Sequence, residues 1–406
     1  MRSAATGTSL PGDAIPIAVP ENGYQATMAH TASADVNAGP GGPIGGGADP
    51  GRWVRVPFET LWDHFASLYT CVGVASEDAR LIGETLVLAD ARGVSTHGAI
   101  RVPQYIRKLR AGGLNPVPEI RVVEDALSAA VLHGDNGPGQ VVCARAMELA
   151  ISKARRTGIA MISVRESCHF GCAAYFSLMA AKQGLVGFVW SNGYPIMSAW
   201  QGRGNNISNS PMSWAIPAGR HRPIVFDASM STVAAGKVRL AAKTGQGIPA
   251  GWILTADGSP TSDPRELTER GGSLLPMNMH KGYGLAVVGD VLASALGGGP
   301  FLGGLPLWFA DPGQKTSYAH LVMAIDPAAF CSLEVFRGRV DAFIDGLKAT
   351  PPASGYTEVL APGEPEFRAE TESRRIGVPI AAAVLHDLEV VAAEVGALPL
   401  PQPVHA

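Results

Sequence analysis

His97, Arg101 and Tyr105 follow one another at intervals of four residues. On a helix, that spacing places the three side chains on one face. A histidine can move a proton near neutral pH, and an arginine can bind a carboxylate through two parallel hydrogen bonds. The segment therefore suits a substrate whose carboxylate lies beside a carbon bearing a hydroxyl or carbonyl group. A solvated helix face that carries His and Arg is the alternative interpretation.

Pro103 constrains the geometry of this segment. Proline cannot lie deep inside a straight helix, but the first helical turn tolerates it. We therefore expect His97 to lie in the loop before the helix and Arg101 near the helix start.

A second candidate site is the segment Ser-Cys-His-Phe-Gly-Cys at residues 167–172. It falls between a predicted strand and a predicted helix, where open sheets usually place functional groups. His169 is a candidate general acid/base there, and a core or loop histidine is the alternative. The cluster of Cys168, His169 and Cys172 also resembles part of a metal site. Zinc sites normally take four ligands from two separated pairs, and since no second pair stands out, we predict no metal.

Small polar residues end two further predicted strands. Ser191 and Asn192 follow an apolar run, and residues 226–231 read Phe-Asp-Ala-Ser-Met-Ser. Such groups suit hydrogen bonds to the ribose or phosphates of a ligand, and Lys237 and Lys281 could supply cations for a phosphate-bearing cofactor. Each of these features is also typical of ordinary turns and solvated lysines. The chain has no G-x-G-x-x-G motif, no P-loop and no G-x-S-x-G motif.

The composition of the 406-residue chain describes a folded globular protein of two or three domains, with 46% hydrophobic and 17% charged residues. A net charge of −3 without a basic stripe argues against a nucleic-acid partner. The longest uncharged apolar stretch, residues 291–310, is broken by glycines and two prolines, so we expect no membrane partner. Five cysteines favour a reducing compartment, and we expect a cytoplasmic protein.

The elements that must position these residues divide the chain into four parts. Residues 1–51 are rich in Gly and Pro and are expected to be a disordered extension without a secretory signal. Residues 52–115 have a helical pattern, including a helix that Ser76 is expected to cap. Residues 116–326 alternate strand and helix patterns, and residues 327–406 are again helical. We therefore predict a mixed α/β fold in which the two helical ends pack together.

Taken together, these segments resemble the NAD(P)-dependent malate/L-lactate dehydrogenase family, which is unrelated to the Rossmann-type enzymes. That family also includes sulfolactate and ureidoglycolate dehydrogenases and cyclic-imine carboxylate reductases. The resemblance runs from about residue 56 to residue 396, over short segments in the family's order. They include Ala-Asp-Ala-Arg-Gly at 89–93, Thr-His-Gly at 96–98, Cys-His-Phe-Gly at 168–171, Ser-Asn-Ser-Pro at 208–211, Phe-Asp-Ala-Ser at 226–229, Ala-Gly-Lys at 235–237, Lys-Gly-Tyr-Gly at 281–284 and Pro-Gly-Glu at 362–364.

The resemblance implies a helical domain built from both chain ends and a sheet domain that binds NAD or NADP without a Rossmann motif. It implies hydride transfer between the nicotinamide and a small 2-hydroxy/2-oxo acid, in a protein that forms a homodimer. His169 matches the family's catalytic histidine, and Thr96, His97 and Arg101 match its substrate motif, with Tyr105 one turn further on. The resemblance assigns the cofactor site to Ser191, Asn192, Asp227, Ala228, Ser229, Lys237, Lys281, Gly282 and Tyr283.

Three departures from the family pattern lie beside the expected pocket. Asn209 stands where Thr is common, residues 277–280 replace the usual glycines before Lys281, and Cys168 stands where Asn is frequent. They bear on substrate identity more than on the class of reaction. The alternatives are a cyclic-imine carboxylate reductase, a nicotinamide-binding protein without turnover, and a hydrolase or metal-dependent lyase that uses His97, His169 and Cys168.

Overall fold

The structure is a computed structural model that describes residues 53–401, apart from the side chain of Thr244. The extension expected over residues 1–51 lies outside the described residues. Within them the chain forms a mixed α/β fold around a seven-stranded sheet, which confirms the predicted fold class.

The strands, in chain order, are β1 Trp53–Val56, β2 Arg121–Asp125, β3 Ala129–His133, β4 Ile159–Ser167, β5 Val186–Ser191, β6 Met212–Ile216, β7 Ile224–Ala228, β8 Ile253–Leu254, β9 Pro260–Thr261, β10 Ser273–Leu274, β11 Tyr318–Ile325 and β12 Val378–Ala381. The helices are α1 Phe58–Cys71, α2 Ser76–Ala91, α3 Val102–Arg110, α4 Gly139–Thr157, α5 Ala173–Lys182, α6 Ala235–Thr244, α7 Arg265–Glu269, α8 His280–Ser294, α9 Leu333–Lys348, α10 Glu364–Ile376 and α11 Ala382–Val395. Short 3₁₀ turns cover Ser95–His97, Ala99–Arg101, Leu302–Gly304 and Pro327–Ala329.

The large sheet has the strand order β2-β3-β4-β11-β5-β6-β7. β3 and β4 run parallel, and the other neighbouring strands of this sheet run antiparallel. A Rossmann sheet consists mainly of parallel strands with crossover helices. The antiparallel pairing is therefore consistent with the missing Rossmann motif. β8, β9 and β10 form a small separate sheet.

The two ends of the described chain meet in a two-stranded antiparallel sheet, in which β1 pairs with β12 and Trp53 lies opposite Ala381. The helical pattern from residue 54 onward did not predict β1, because this strand is four residues long and its partner is distant in the sequence. A continuous hydrophobic core runs from Val56 to Leu400 and includes buried residues of β3, β4 and α4. The division into domains at residues 115 and 326 stays a prediction.

Two expectations about helix starts have different outcomes. Arg101 directly precedes α3 and Pro103 lies in its first turn, while His97 lies in the preceding 3₁₀ turn, as predicted. The expectation that Ser76 caps a helix is wrong, because α2 begins at Ser76 itself and Ala75 holds the N-cap position without a side-chain hydrogen bond.

Among residues 53–401, no helix combines the length and the apolar character that crossing a membrane requires.

Candidate active site

A cavity of about 620 Å³ opens between the 3₁₀ turns before α3, the N-terminus of α5, α6, and the ends of β5 and β7. This volume is typical of ligand pockets. The predicted site residues that line it are Thr96, His97, Arg101, His169, Ser191, Asn192, Asp227, Ala228 and Ser229. Those of the described chain that do not line it are Tyr105, Lys237, Lys281, Gly282 and Tyr283.

The buried carboxyl group of Asp90, at the end of α2, holds the turn that carries His97 and Arg101. The Ala99 N–H donates a hydrogen bond to Asp90 Oδ2 at 2.6 Å. A Cβ atom on Gly98 would lie 2.2 Å from the same carboxyl group, so this position requires glycine. Burial raises the pKa of Asp90 to about 8, opposed by the hydrogen bond from Ala99. The turn therefore has little freedom to move.

His169 follows β4 and precedes α5, as predicted, and the buried Tyr105 of α3 lies behind it. The Tyr105 hydroxyl and His169 Nδ1 are 2.5 Å apart, and the same hydroxyl donates to the His169 carbonyl oxygen at 3.3 Å. The Gly171 N–H also donates to Nδ1, at 3.3 Å. Both contacts occupy Nδ1, which leaves Nε2 as the ring nitrogen for a ligand.

Three rings pack around His169. Its imidazole lies 5.5 Å from the His97 ring and 4.9 Å from the Trp308 ring, with interplanar angles of 14° and 10°. Trp308, which is 2% exposed, stacks in turn on Tyr105 at 4.7 Å. Stacked aromatic surfaces of this kind fix the plane of the imidazole and exclude water from its faces.

Burial keeps the histidines of this region neutral. It lowers the pKa of His97 to about 4, and the charge of Arg101 acts in the same direction. The pKa of His169 is lowered well below its usual value, chiefly by burial, and the charge of Arg101 acts in the same direction. A neutral imidazole can accept a proton, so His169 has the protonation state of a general base.

Arg101 is held by its own turn. Its Nε donates to the Thr96 carbonyl at 2.7 Å and its Nη1 donates to Gln104 Oε1 at 3.0 Å. Among residues 53–401, no hydrogen bond engages Nη2, so that part of the guanidinium is free for a ligand. The Thr96 hydroxyl lies 2.9 Å from His97 Nδ1, which orients the His97 ring. Thr96 therefore positions both neighbouring side chains.

The other end of the cavity consists of strand ends whose polar side chains hold the fold. Asn192 donates from Nδ2 to the Pro300 carbonyl at 3.0 Å and accepts from the Ala319 N–H at 2.8 Å. The Ser191 hydroxyl lies 2.9 Å from Nδ1 of the buried His320. On the opposite side of that ring, Nε2 lies 2.9 Å from the Ser167 hydroxyl. His320 thus connects the ends of β4 and β5.

Asp227, at the end of β7, faces the first turn of α5. Its Oδ2 accepts a hydrogen bond from the Ala174 N–H at 2.7 Å, a carboxylate contact that the helix N-terminus favours. Gly171, Cys172 and Ala173 line the cavity beside it, so backbone N–H groups at the start of α5 border this end. The Ala174 N–H is already bonded to Asp227, so a phosphate at this helix start would lie beside that carboxyl group.

The remaining predicted cofactor residues lie apart from the cavity lining. Lys237 on α6 is exposed, and Lys281 is exposed in the first turn of α8. Gly282 is buried, and a Cβ atom there would lie 2.3 Å from the Met277 carbonyl oxygen, so this glycine allows α8 to pack closely. Tyr283 is half-buried. The assignment of these four residues to the cofactor stays a prediction.

Comparison with known proteins identifies the family. A family model described as malate/L-lactate dehydrogenase matches residues 56–389. The chain belongs to the malate/L-lactate dehydrogenase family. It is 34% identical to a malate dehydrogenase of Pyrococcus abyssi, over 85% of this chain and 96% of that protein. It is 36% identical to an L-sulfolactate dehydrogenase of Methanocaldococcus jannaschii, over 80% of this chain and 92% of that protein. A solved malate dehydrogenase structure from Entamoeba histolytica superposes with a TM-score of 0.82 at 28% identity, covering 86% of this chain and 100% of that one.

Three residues of the cavity region of this family member were not predicted from the sequence. Trp308 lies in a loop without periodic pattern, and no sequence signal identifies it. His320 could have been found, because it is a polar residue in the otherwise apolar strand β11. Arg239, which lines the cavity from α6, was overlooked in favour of Lys237 two residues earlier. Among residues 53–401, no three His, Cys, Asp or Glu side chains form a group that could hold a metal ion.

Proposed function

We propose that this protein is an NAD(P)-dependent oxidoreductase that transfers a hydride between a nicotinamide and a small 2-hydroxy/2-oxo acid. The observation that carries the proposal is the placement of His169 and Arg101 in the wall of one cavity, with the buried Tyr105 bonded to His169 Nδ1. A proton acceptor and a carboxylate-binding cation are the two protein groups that oxidation of a 2-hydroxy acid requires.

His169 would take the hydroxyl proton on oxidation and return it on reduction. In the tautomer with its hydrogen on Nδ1, Nε2 would accept the proton, and the contact between Nδ1 and the Tyr105 hydroxyl would keep the ring in its orientation. The positive charge formed on the ring is disfavoured by burial and by Arg101. A substrate carboxylate bound to Arg101 offsets that charge and makes proton transfer easier.

Arg101 would bind the substrate carboxylate through the donors that its turn leaves free. His97, stacked on His169, would lie against the reacting oxygen and polarise it. Thr96 would fix the positions of both side chains, since its hydroxyl contacts His97 and its carbonyl accepts a hydrogen bond from Arg101. Because Asp90 and Gly98 fix this turn, the substrate would meet groups that are already in place.

The strand-end side of the cavity would hold the nicotinamide cofactor. Residues 171–173 at the start of α5, together with Ala228 and Ser229 at the end of β7, border the space proposed for the cofactor. The bound nicotinamide supplies or accepts the hydride. Both NAD and NADP are candidates. Ser191 and Asn192 would act mainly by fixing the loops, because their side chains are engaged with other protein groups.

We also propose that the protein is cytoplasmic and forms a homodimer. All five cysteines are free thiols, as the reducing cytoplasm favours. The helix α8 exposes Leu285, Val288 and Val291, which could be covered by a second copy of the chain. Light scattering on the purified protein, with Val288→Glu as the disrupting variant, tests the dimer.

The function is tested by following nicotinamide absorbance with NADH and NADPH against a panel of 2-oxo acids and cyclic-imine carboxylates. We expect reduction of at least one 2-oxo acid, and the reverse oxidation of the matching 2-hydroxy acid. Turnover restricted to cyclic imines would replace the proposed reaction with imine reduction. Tight nicotinamide binding without turnover of any panel member would contradict catalysis.

A further inference from the structure

Arg239 on α6 is a second cation in the cavity, beside Arg101. We propose that Arg239 binds a second anionic group of the substrate, so that the protein prefers 2-oxo and 2-hydroxy acids that are dianions to those that are monoanions. The inference rests on the proposed function, because it takes Arg101 as the group that holds the carboxylate next to the reacting carbon.

Both guanidinium groups lie near one aromatic ring. The guanidinium carbon of Arg101 lies 5.9 Å from the centroid of Phe309, and that of Arg239 lies 5.7 Å from the same centroid. All three residues line the cavity. The pKa of Arg101 is lowered by burial and, among nearby charges, by that of Arg239. The two guanidinium carbons are therefore at most about 12 Å apart, a span that one ligand with two anionic groups can bridge.

A glycine on α6 brings Arg239 to this position. A Cβ atom on Gly236 would lie 2.7 Å from Thr96 Cγ2, so the first turn of α6 packs directly against the turn that carries Arg101. Arg239 lies three residues after Gly236 and therefore on the same helix face. That face points to the cavity, whereas Lys237 is exposed.

The charges of Arg101 and Arg239 are not balanced by protein carboxylates, in contrast to a third arginine of the cavity. Arg92 is buried and forms an ion pair with Glu370 at 3.1 Å. Among residues 53–401, no carboxylate lies within 4 Å of the guanidinium nitrogens of Arg101 or Arg239. Two neighbouring cations without counter-ions repel each other, and a ligand with two negative charges relieves that repulsion at both.

Tyr194 holds the second guanidinium in place. Arg239 Nη2 donates a hydrogen bond to the Tyr194 hydroxyl at 3.2 Å, and Tyr194 also lines the cavity. One fixed edge of the planar group leaves its other donors in a defined direction. A carboxylate or sulfonate, separated from the reacting carbon by a short linker, would match this arrangement.

The test compares oxaloacetate, a dianion, with 2-oxobutyrate, a monoanion of the same chain length, in the wild type, Arg239→Gln and Arg239→Lys. We expect the wild type to prefer oxaloacetate in kcat/KM by at least about tenfold, as a charge-assisted contact supplies. Arg239→Gln should remove that preference, mainly through KM for oxaloacetate, and leave 2-oxobutyrate almost unchanged. Arg239→Lys should keep part of the preference, because it retains the charge.

Lys243→Gln is the matched control, since Lys243 is an exposed cation one turn further along α6. It should leave the preference unchanged. Equal wild-type kcat/KM for the two acids would overturn the inference. Equal loss for both acids in Arg239→Gln would instead show that both arginines bind the same carboxylate. A weaker Kd for NADH or NADPH in that variant would assign Arg239 to the cofactor.

A binding measurement separates this inference from the proposed reaction. If no 2-oxo acid of the panel is reduced, the proposed function fails, and calorimetric titration of malate and of 2-hydroxybutyrate into the protein with bound nicotinamide still decides the role of Arg239. Tighter binding of malate in the wild type, lost in Arg239→Gln and kept in Lys243→Gln, supports the second anion site. Equal affinities contradict it.

Discussion

The two ends of the cavity are built in different ways. At one end, the side chains of His97, Arg101 and His169 have polar atoms that remain available to a ligand. At the other end, the side chains of Asn192 and Asp227 are hydrogen-bonded within the protein, and backbone groups border the space. Substitutions at the first end should therefore change chemistry, and those at the second should change the fold of the loops.

The largest effect is expected for His169→Ala. Removal of a general acid/base usually lowers turnover by about 10²- to 10⁴-fold, and we expect kcat to fall within that range. The Kd for the nicotinamide, measured by fluorescence titration, should remain near that of the wild type. A kcat close to the wild-type value would show that His169 is not the proton acceptor.

Gly98→Ala should be almost as harmful, although this residue has no side chain. The new Cβ would overlap the Asp90 carboxyl group, so the turn with His97 and Arg101 must shift. A shift of about 1 Å in such groups can lower the rate by about 10²-fold. Steady-state kinetics together with circular dichroism test this expectation. A variant that folds and retains full kcat/KM would show that the turn is more tolerant than its packing indicates.

Arg101→Lys tests whether Arg101 binds the acid substrate or the cofactor. An ammonium group cannot reproduce the planar fork of arginine, so we expect kcat/KM for the acid to fall by about tenfold or more. The Kd for the nicotinamide should not change. If cofactor affinity falls and the dependence on the acid does not, Arg101 serves the phosphates and the assignment of the two ends must be reversed.

The pH dependence should reflect the neutral histidines. Oxidation needs an unprotonated His169, whose pKa burial lowers, and the pKa of His97 is lowered to about 4. We therefore expect kcat/KM for oxidation to stay level as the pH falls from 8 to about 6.5, where a histidine with the ordinary pKa would be half protonated. The reduction needs the protonated ring, so its kcat/KM should rise as the pH falls. A twofold loss in oxidation at pH 6.5 would contradict the effect of burial.

The smallest effect is expected for Lys237→Ala. The sequence resemblance assigns Lys237 to the cofactor, whereas the structure places it exposed and outside the cavity lining. For an exposed cation we expect the Kd for NADH and NADPH to change by less than about twofold. A tenfold weaker Kd would instead support the role that the resemblance implies.

The residues that could be found from sequence are those whose neighbours are local. The positions of His97 and Arg101 around the start of α3 follow from short-range spacing and from Pro103, and both were predicted. Trp308 was not, because its partners His169 and Tyr105 are far away in the chain. On α6, sequence identified cations but not which helix face meets the cavity.

The same distinction between local and distant interactions decides which elements of the fold could be predicted from the sequence. The alternation of patterns in the middle of the chain predicted the mixed α/β class, since periodicity is a local property. The strand β1 escaped prediction because it exists only through its pairing with β12. Hydrogen bonding between distant segments leaves little trace in a four-residue stretch.

The position of β11 has a consequence for how the chain folds during synthesis. β11 lies between β4 and β5, yet it is made more than a hundred residues after β5. At ordinary ribosomal speed, both strands await their common neighbour for on the order of ten seconds. During that time each has an unpaired edge that can bind other chains. Completion of the sheet is therefore a late event, and the nascent protein should depend on chaperones at this stage.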